Sequence, residues 1–546
     1  MVAIIVPLVW SLFHLLASAA VLHCRQSKPC TAATFSAVLP AGATVEKVAS
    51  VANGGSYGEG AANLGYPTNA QKLPAVCAVT IKVVSGTSKY RFGLFLPTAA
   101  NWNSKFLAVG GYSQAGGINW PDMGQGPHYG MATLSTDTGH NSVGSDLNWA
   151  TPDTLLDWGY RALNGSVFLG KTLTEAYYGK KLTYSYWSGC STGGRQGLKE
   201  IQTSPESFDG ALIGSAAWNT NHLFPWITKI ATYNLPTSDP KHIDVPQFTL
   251  LAQTVQSQCD SQDGQTDNIV SSPDTCKIDL TAIQCGDSRA DPSNCLTAPQ
   301  IQTAKNIYSD YVTSSGKFVH NGFSPSSEAQ WSTFLSFGAP EDFDVRYERF
   351  WLYNDPSWNW TRYTDSVVDD SERINPGQAT ADMYDISAFK KRGGKVLMYH
   401  GLADGVVPTK SSGLYYNRTI AAMGTPSLQD FFRLFYVPGM AHCWFTQPEV
   451  NAPWAFGGAG QATQLLQQAG FGAGWSTPGF LGNAKYDALV ALMNWVEKGT
   501  AVDSVVATTW SSNGAVARQR PLCPWPKKAV YKGTGNKNDA ASWNCA

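Results

Sequence analysis

Charge is scarce in this sequence. Only 14% of its 546 residues are Asp, Glu, Lys or Arg, and the net charge is −1. That leaves no electrostatic basis for gripping nucleic acid or an anionic membrane. No internal repeat is evident, which sets aside solenoid and propeller architectures. Beyond the N-terminus no apolar run is long enough to span a bilayer. The one such run, Val2 to Leu22, has no Lys or Arg ahead of it, but it ends in Ala17-Ser18-Ala19-Ala20. Small residues at the −3 and −1 positions of a cleavage point read as a signal peptide over residues 1–20 rather than as an anchor.

What is abundant is glycine, with 52 residues, and tryptophan, with 19. The first implies many tight loops. The second often accompanies recognition of flat or sugar-like ligands, although many tryptophans simply fill cores. Eleven cysteines in an exported chain imply disulfides with one thiol left over. Three sequons, at Asn164, Asn359 and Asn417, agree with export.

The chemistry centres on Ser188-Gly189-Cys190-Ser191-Thr192-Gly193-Gly194-Arg195-Gln196-Gly197, which contains the Gly-x-Ser-x-Gly spacing of a nucleophile elbow. The β-branched and aromatic run Leu182 to Trp187 precedes it as a strand, and Gln196 to Thr203 follows as a helix. A strand, a sharp turn and a helix are the context this motif needs. Glycine lets the backbone take the strained turn, leaving the serine hydroxyl exposed at the strand's end.

Residues 21–75 read as loops and short strands. Strands follow at Val79–Val84, Tyr90–Leu96 and Lys105–Val109, the last running into Gly110-Gly111-Tyr112, a glycine-rich loop placed to supply half of an oxyanion hole. Another strand is expected at Met131–Asp137, a long helix at Thr154–Tyr178 and a further strand at Phe208–Gly214. Strand–helix–strand order implies parallel pairing with right-handed crossovers. From about residue 217 to 389 the alternation breaks, and Trp, Asn, Ser, Asp and Pro accumulate. The sheet resumes at Gly394–Asp404, with a helix near Thr409–Met423, a strand at Phe431–Val437 and a closing helix near Asn483–Glu497. The expected organisation is an α/β-hydrolase catalytic domain over 21–216 and 390–546, with a large lid domain inserted at 217–389.

A serine nucleophile needs a base, and the base needs an acid to orient it. In α/β-hydrolases the chain order is Ser, Asp, His, each at the end of a strand. Ser191, Asp404 and His442 stand in that order and context. His400 and His140 are rival bases, and His400 breaks the order. Cys190 adjoins Ser191 and Cys443 adjoins His442; meeting of serine and histidine would permit a Cys190–Cys443 bridge, although other partners remain open. A second cluster, Asp260, Asp263 and Asp267 around Gly264, suits a hard cation such as Ca2+, with the carbonyls of Gln265 and Ile269 completing an oxygen shell. The same pattern also describes a solvated acidic turn. A Cys259–Cys276 bridge would staple it.

The Gly189–Gly197 run, with Asp404 and His442-Cys443, resembles the tannase and feruloyl esterase family, and is most similar to fungal feruloyl esterases of the B type. The resemblance implies Ser191 as nucleophile, His442 as base, Asp404 as orienter and a Cys190–Cys443 disulfide. It also implies a lid with structural Ca2+ on Asp260, Asp263, Gln265, Asp267 and Ile269, and the pairs Cys30–Cys77, Cys259–Cys276, Cys285–Cys295 and Cys523–Cys545, leaving Cys24 alone. A cysteine bridge near the Gly110 loop, associated with fungal members, has no counterpart here.

The expected activity is hydrolysis of hydroxycinnamoyl esters, of a small aromatic ester or a feruloylated polysaccharide, by a secreted enzyme with Ca2+ as its one cofactor. The N–H groups of Thr192 and Gly111 would hold the oxyanion. Alternatives are a tannase cleaving gallate esters, a terephthalate-monoester hydrolase, a serine peptidase, or a non-catalytic cell-wall-binding protein on the same scaffold. Trp351, Tyr353, Trp358 and Trp360 in the lid are candidates to stack on a phenolic ring, although packing in the lid core is the better reading of them.

Overall fold

The computed structural model describes residues 27–335, 345–468 and 482–546. The expected signal peptide at 1–20 and Cys24 lie outside them. Among the described residues nine strands form one sheet: β1 (Ala43–Val51), β2 (Val76–Ser85), β3 (Ser88–Pro97), β4 (Lys105–Val109), β5 (Ala132–Thr136), β6 (Tyr184–Cys190), β7 (Gly210–Gly214), β8 (Lys395–Gly401) and β9 (Phe432–Val437). Across the sheet they lie in the order β1-β2-β3-β5-β4-β6-β7-β8-β9. From β5 to β9 every neighbouring pair is parallel, as expected from the strand–helix alternation. The first three pairs are antiparallel, because β2 and β3 are joined by a tight turn at Gly86-Thr87 and β3 then lies against β5. This is the α/β-hydrolase arrangement.

Helices cover both faces of the sheet: α1 (Ala162–Tyr178), α2 (Thr192–Thr203), α4 (Lys410–Met423) and α5 (Ala488–Lys498), with α3 (Thr220–Asn234) opening the inserted region. The alternation of β4 sorts its side chains between two cores. Phe106 and Ala108 meet Leu163, Val167 and Leu173 of α1. Leu107 and Val109 meet Trp120 and the α5 residues Leu489 and Leu492.

Several elements differ from what their sequence implies. β1 is a nine-residue strand where loops and short strands were expected; an irregularity between Val45 and Lys47 breaks its period of two. The long helix expected from Thr154 is interrupted by a π turn at Asp157–Arg161, where the Asp157 carboxylate accepts from Ser88 and from Arg161 Nε at 3.0 Å. α5 begins at Ala488 rather than Asn483, because Asp487 Oδ1 accepts the N–H groups of Leu489 and Val490 and caps the helix there.

Among the described residues between β7 and β8 no strand joins the sheet. This stretch builds its own core around Leu223, Trp226, Ile230, Leu251, Ile301 and Trp331, stapled by the bridges Cys259–Cys276 and Cys285–Cys295. No helix among the described residues is long and apolar enough to cross a membrane.

Candidate active site

β6 ends at Cys190 and α2 begins at Thr192, so Ser191 is the whole turn. Its φ of +61° and ψ of −122° are strained for a residue with a Cβ. The glycines of the motif make room for this. A Cβ on Gly189 would lie 2.5 Å from the Gly193 carbonyl oxygen. The helix expected from Gln196 begins four residues earlier, with Gly193 and Gly194 in its first turn. Starting it at Thr192 places a helix N-terminus directly under the serine, with the N–H of Thr192 ahead of the helical hydrogen-bond ladder.

Asp404 and His442 come from the loops after β8 and β9. Asp404 is fully buried. Its Oδ1 accepts the N–H groups of Val406 and Val407, both at 2.9 Å. Its Oδ2 accepts His442 Nδ1–H at 2.7 Å and His400 Nε2–H at 3.0 Å. Burial pushes the carboxyl's pKa up, but the charge of His442 and the bonds from both imidazoles outweigh it and hold it well below the usual range. The bond to Nδ1 fixes the tautomer in which His442 Nε2 is the base. The Cys190–Cys443 disulfide, with 5.9 Å between Cα atoms, ties the nucleophile's strand to the base's loop. Ser191, Thr192 and His442 all open onto one cavity of about 320 Å³.

The rival histidines do not reach this cavity. His400 is buried behind Asp404, with Nδ1 on Ser412 Oγ at 2.7 Å. His140 stacks on Trp149 at 3.7 Å, and burial pushes its pKa down to about 3.

The oxyanion assignment to Gly111 is corrected. Its N–H donates to Gln196 Oε1 at 3.0 Å, and that of Tyr112 donates to the Tyr66 hydroxyl at 2.8 Å. Gly111 does not line the cavity, whereas Tyr112 and Ser113 do. Ser113, at φ +50°, has an N–H with no partner among the described residues. A side-chain acceptor arriving from α2 is invisible in the loop's own sequence.

The lid tryptophans are core. Trp351 and Trp358 are buried, and none of Trp351, Tyr353, Trp358 or Trp360 lines the cavity. Trp351 stands edge-on behind Trp158 at 4.7 Å. Tyr112, Trp158, Phe224, Tyr347 and Trp444, none of which is expected from sequence to face a phenolic ring, are the aromatic walls of the cavity itself. Trp158 reaches it from the π turn, a feature that periodicity cannot show. Under Trp158 sits Arg195, fully buried, its guanidinium 4.1 Å from the ring centroid.

In the acidic loop, Asp260 Oδ1 accepts the N–H groups of Asp267 at 3.2 Å and Ile269 at 3.0 Å, and Asp263 Oδ1 accepts that of Gln265 at 2.9 Å. Asp267 Oδ2 pairs with Arg520, while its Oδ1 is buried without a partner. Among the described residues no three His, Cys, Asp or Glu side chains are already gathered as a metal cage. The loop therefore offers oxygen donors and one orphaned carboxylate oxygen that fit a hard cation, with Arg520 competing for the same group.

The five cysteine pairs implied by the resemblance are all bridged. Of the sequons, Asn417 is exposed on α4. Asn359 is half-buried, its Oδ1 turned back onto Thr361 N–H. Asn164 lies within α1 with Nδ2 bonded to Glu200 at 3.1 Å and Ser204 at 2.7 Å, so a glycan there would displace both contacts.

The sequence matches the family described as tannase and feruloyl esterase over residues 76–338 and 357–546. It is 30% identical to a probable feruloyl esterase B-1 of Aspergillus flavus, over 90% of this chain and 91% of that one. A probable feruloyl esterase B-1 of Aspergillus oryzae is 32% identical, over 86% and 84% of the two chains. The crystal structure of feruloyl esterase B from Aspergillus oryzae superposes with a TM-score of 0.84 at 30% identity, covering 95% of this chain and 99% of that one. Tannin acyl hydrolase from Aspergillus niger shares the fold, with a TM-score of 0.71 at 23% identity, over 95% of each chain. By sequence and by fold, the chain belongs to the tannase and feruloyl esterase family.

Proposed function

We propose that this protein is a secreted serine carboxylesterase that cleaves feruloyl and related hydroxycinnamoyl esters of plant cell-wall polysaccharides through an acyl-enzyme. The observation that carries this reading is a nucleophile and a base opening onto one cavity with apolar walls, among them Leu147, Leu223, Phe224 and Ile227. Ser191 Oγ attacks the ester carbonyl as His442 Nε2 takes its proton, and Asp404 holds the resulting imidazolium. The oxyanion is received by Thr192 N–H, with Ser113 N–H as the second donor. His442 then protonates the leaving alcohol, and water releases the acid.

The walls favour a cinnamoyl over a galloyl group. The Tyr347 hydroxyl is engaged with Ser371 at 2.6 Å and that of Thr220 with Thr380 at 2.8 Å. Both are thus already engaged when the three ring hydroxyls of a gallate would need partners, and an unpaired buried hydroxyl is costly. Five disulfides agree with an oxidising, extracellular location. We also assign a structural Ca2+ to Asp260, Asp263 and Asp267 with the carbonyls of Gln265 and Ile269. It would brace the loop and take no part in ester cleavage.

The test compares rates on methyl ferulate, methyl caffeate and methyl gallate for wild type and Ser191→Ala. Fast turnover of the two cinnamates, abolished by the substitution, is expected. A preference for gallate would make the protein a tannase, and no turnover of any ester together with no labelling by a fluorophosphonate would make it a binding protein.

A further inference from the structure

The loops carrying Asp404 and His442 follow different strands, yet both are bonded to a single atom of the inserted region. Gln330 Oε1 accepts the N–H of Gly405 at 3.0 Å and the N–H of His442 at 3.1 Å. We propose that Gln330 is a positioning residue for the catalytic triad, through which the docked insertion sets the relation between acid and base. This rests on the assignment of Ser191, Asp404 and His442 as the triad and not on which acyl group is cleaved.

Three further observations support it. The contact is close: a Cβ on Gly405 would meet the Ser327 carbonyl oxygen at 2.5 Å and Gln330 Cβ at 2.7 Å, so only glycine lets the segment seat. The segment is rigid: the Trp331 indole N–H donates to Ser327 Oγ at 2.9 Å, and Glu328 Oε1 accepts both the Tyr308 hydroxyl at 2.7 Å and Ser326 N–H at 3.0 Å. Gln330 itself is buried, so its carbonyl is a fixed acceptor rather than a solvated one. Without it, the two N–H groups lose a shared partner and the loops can separate. The reaction needs its base aligned on the serine hydroxyl, and an ångström of misplacement slows it while leaving the apolar substrate walls intact.

The experiment compares Gln330→Leu, which removes the acceptor, with Gln330→Glu, which keeps it at the same length. Each is measured for kcat and KM on methyl ferulate and for the rate at which a fluorophosphonate labels Ser191, with folding followed by circular dichroism. For Gln330→Leu, kcat should fall about 10–100-fold with KM within about twofold, and labelling should slow in parallel, while Gln330→Glu stays within about threefold of wild type. Should the leucine variant not fold, Gln330→Met carries the same expectation. Wild-type kcat and labelling in the leucine or methionine variant would overturn the proposal, as would an equal loss in the glutamate variant or a change in KM alone. Labelled wild type without ester turnover would overturn the substrate reading and leave this one standing; unlabelled wild type would remove the triad and this inference with it.

Discussion

Asp404 and Glu348 are both buried carboxyls, and their surroundings push them in opposite directions. Asp404 gains two imidazoles and two backbone N–H groups, and its pKa is lowered. Glu348, in the insertion, has Thr228 Oγ1 at 2.9 Å as its one side-chain donor among the described residues, and burial raises its pKa to about 8 from the usual 4.5. Burial likewise raises Glu328 and Glu200 to about 7. A depressed acid stabilises the fold above its unfolded pKa and loses that contribution as pH falls. A raised acid does the reverse: the folded state holds protons that the unfolded chain has released, so its contribution is complete below the unfolded value and lost as pH rises through the folded one. Stability should therefore be greatest in mildly acidic solution and decline up to pH 8. Glu348→Gln, which keeps the acceptor and removes the titration, should flatten that decline. A melting-temperature series across this range checks it; an unchanged slope in the variant would count against the assignment.

The π turn and the elbow show how elements, rather than residues, shape the site. A regular helix through Asp157–Arg161 would place Trp158 differently, and the cavity would lose an aromatic wall. The elbow is coupled to the histidine loop by Cys190–Cys443, which spans 253 residues of chain. A bridge closing so long a loop contributes about 2–5 kcal/mol when native geometry is undistorted. The double replacement Cys190→Ala, Cys443→Ala should lower stability by about that amount in denaturant titration. It should also slow Ser191 labelling, because the bridge holds the two loops that must meet. A less stable protein labelled at the wild-type rate would show the bridge to be structural alone.

At the scale of the whole molecule, the insertion is fastened to the body at several places, two of them at sites already described. One is Gln330 at the triad. The other is the acidic loop, where the carbonyl of Asp267 accepts from Arg518 at 2.7 Å, its carboxylate pairs with Arg520, and Asn268 donates to the Glu449 carbonyl at 3.3 Å. If Ca2+ braces this loop, exhaustive dialysis against a chelator should lower the melting temperature, Ca2+ should restore it, and Asp263→Ala should abolish the response. A chelator-insensitive melting temperature, with no calcium found by elemental analysis of the native protein, would leave the loop's charge to Arg518 and Arg520.

The chain order of Ser191, Asp404 and His442, and the strand preceding each, were readable from sequence, because a nucleophile elbow and its partners depend on local turns at strand ends. So was the alternation of the parallel half of the sheet, since buried strands and amphipathic helices carry their periods in the residues themselves. Other features depend on atoms brought together from distant parts of the chain. Gln196 takes the amide of Gly111, Trp158 and Phe224 form the cavity walls while the lid tryptophans pack behind them, and Gln330 bridges two catalytic loops. No local pattern encodes these contacts, because each one exists only once packing has set both partners at hydrogen-bonding or van der Waals distance.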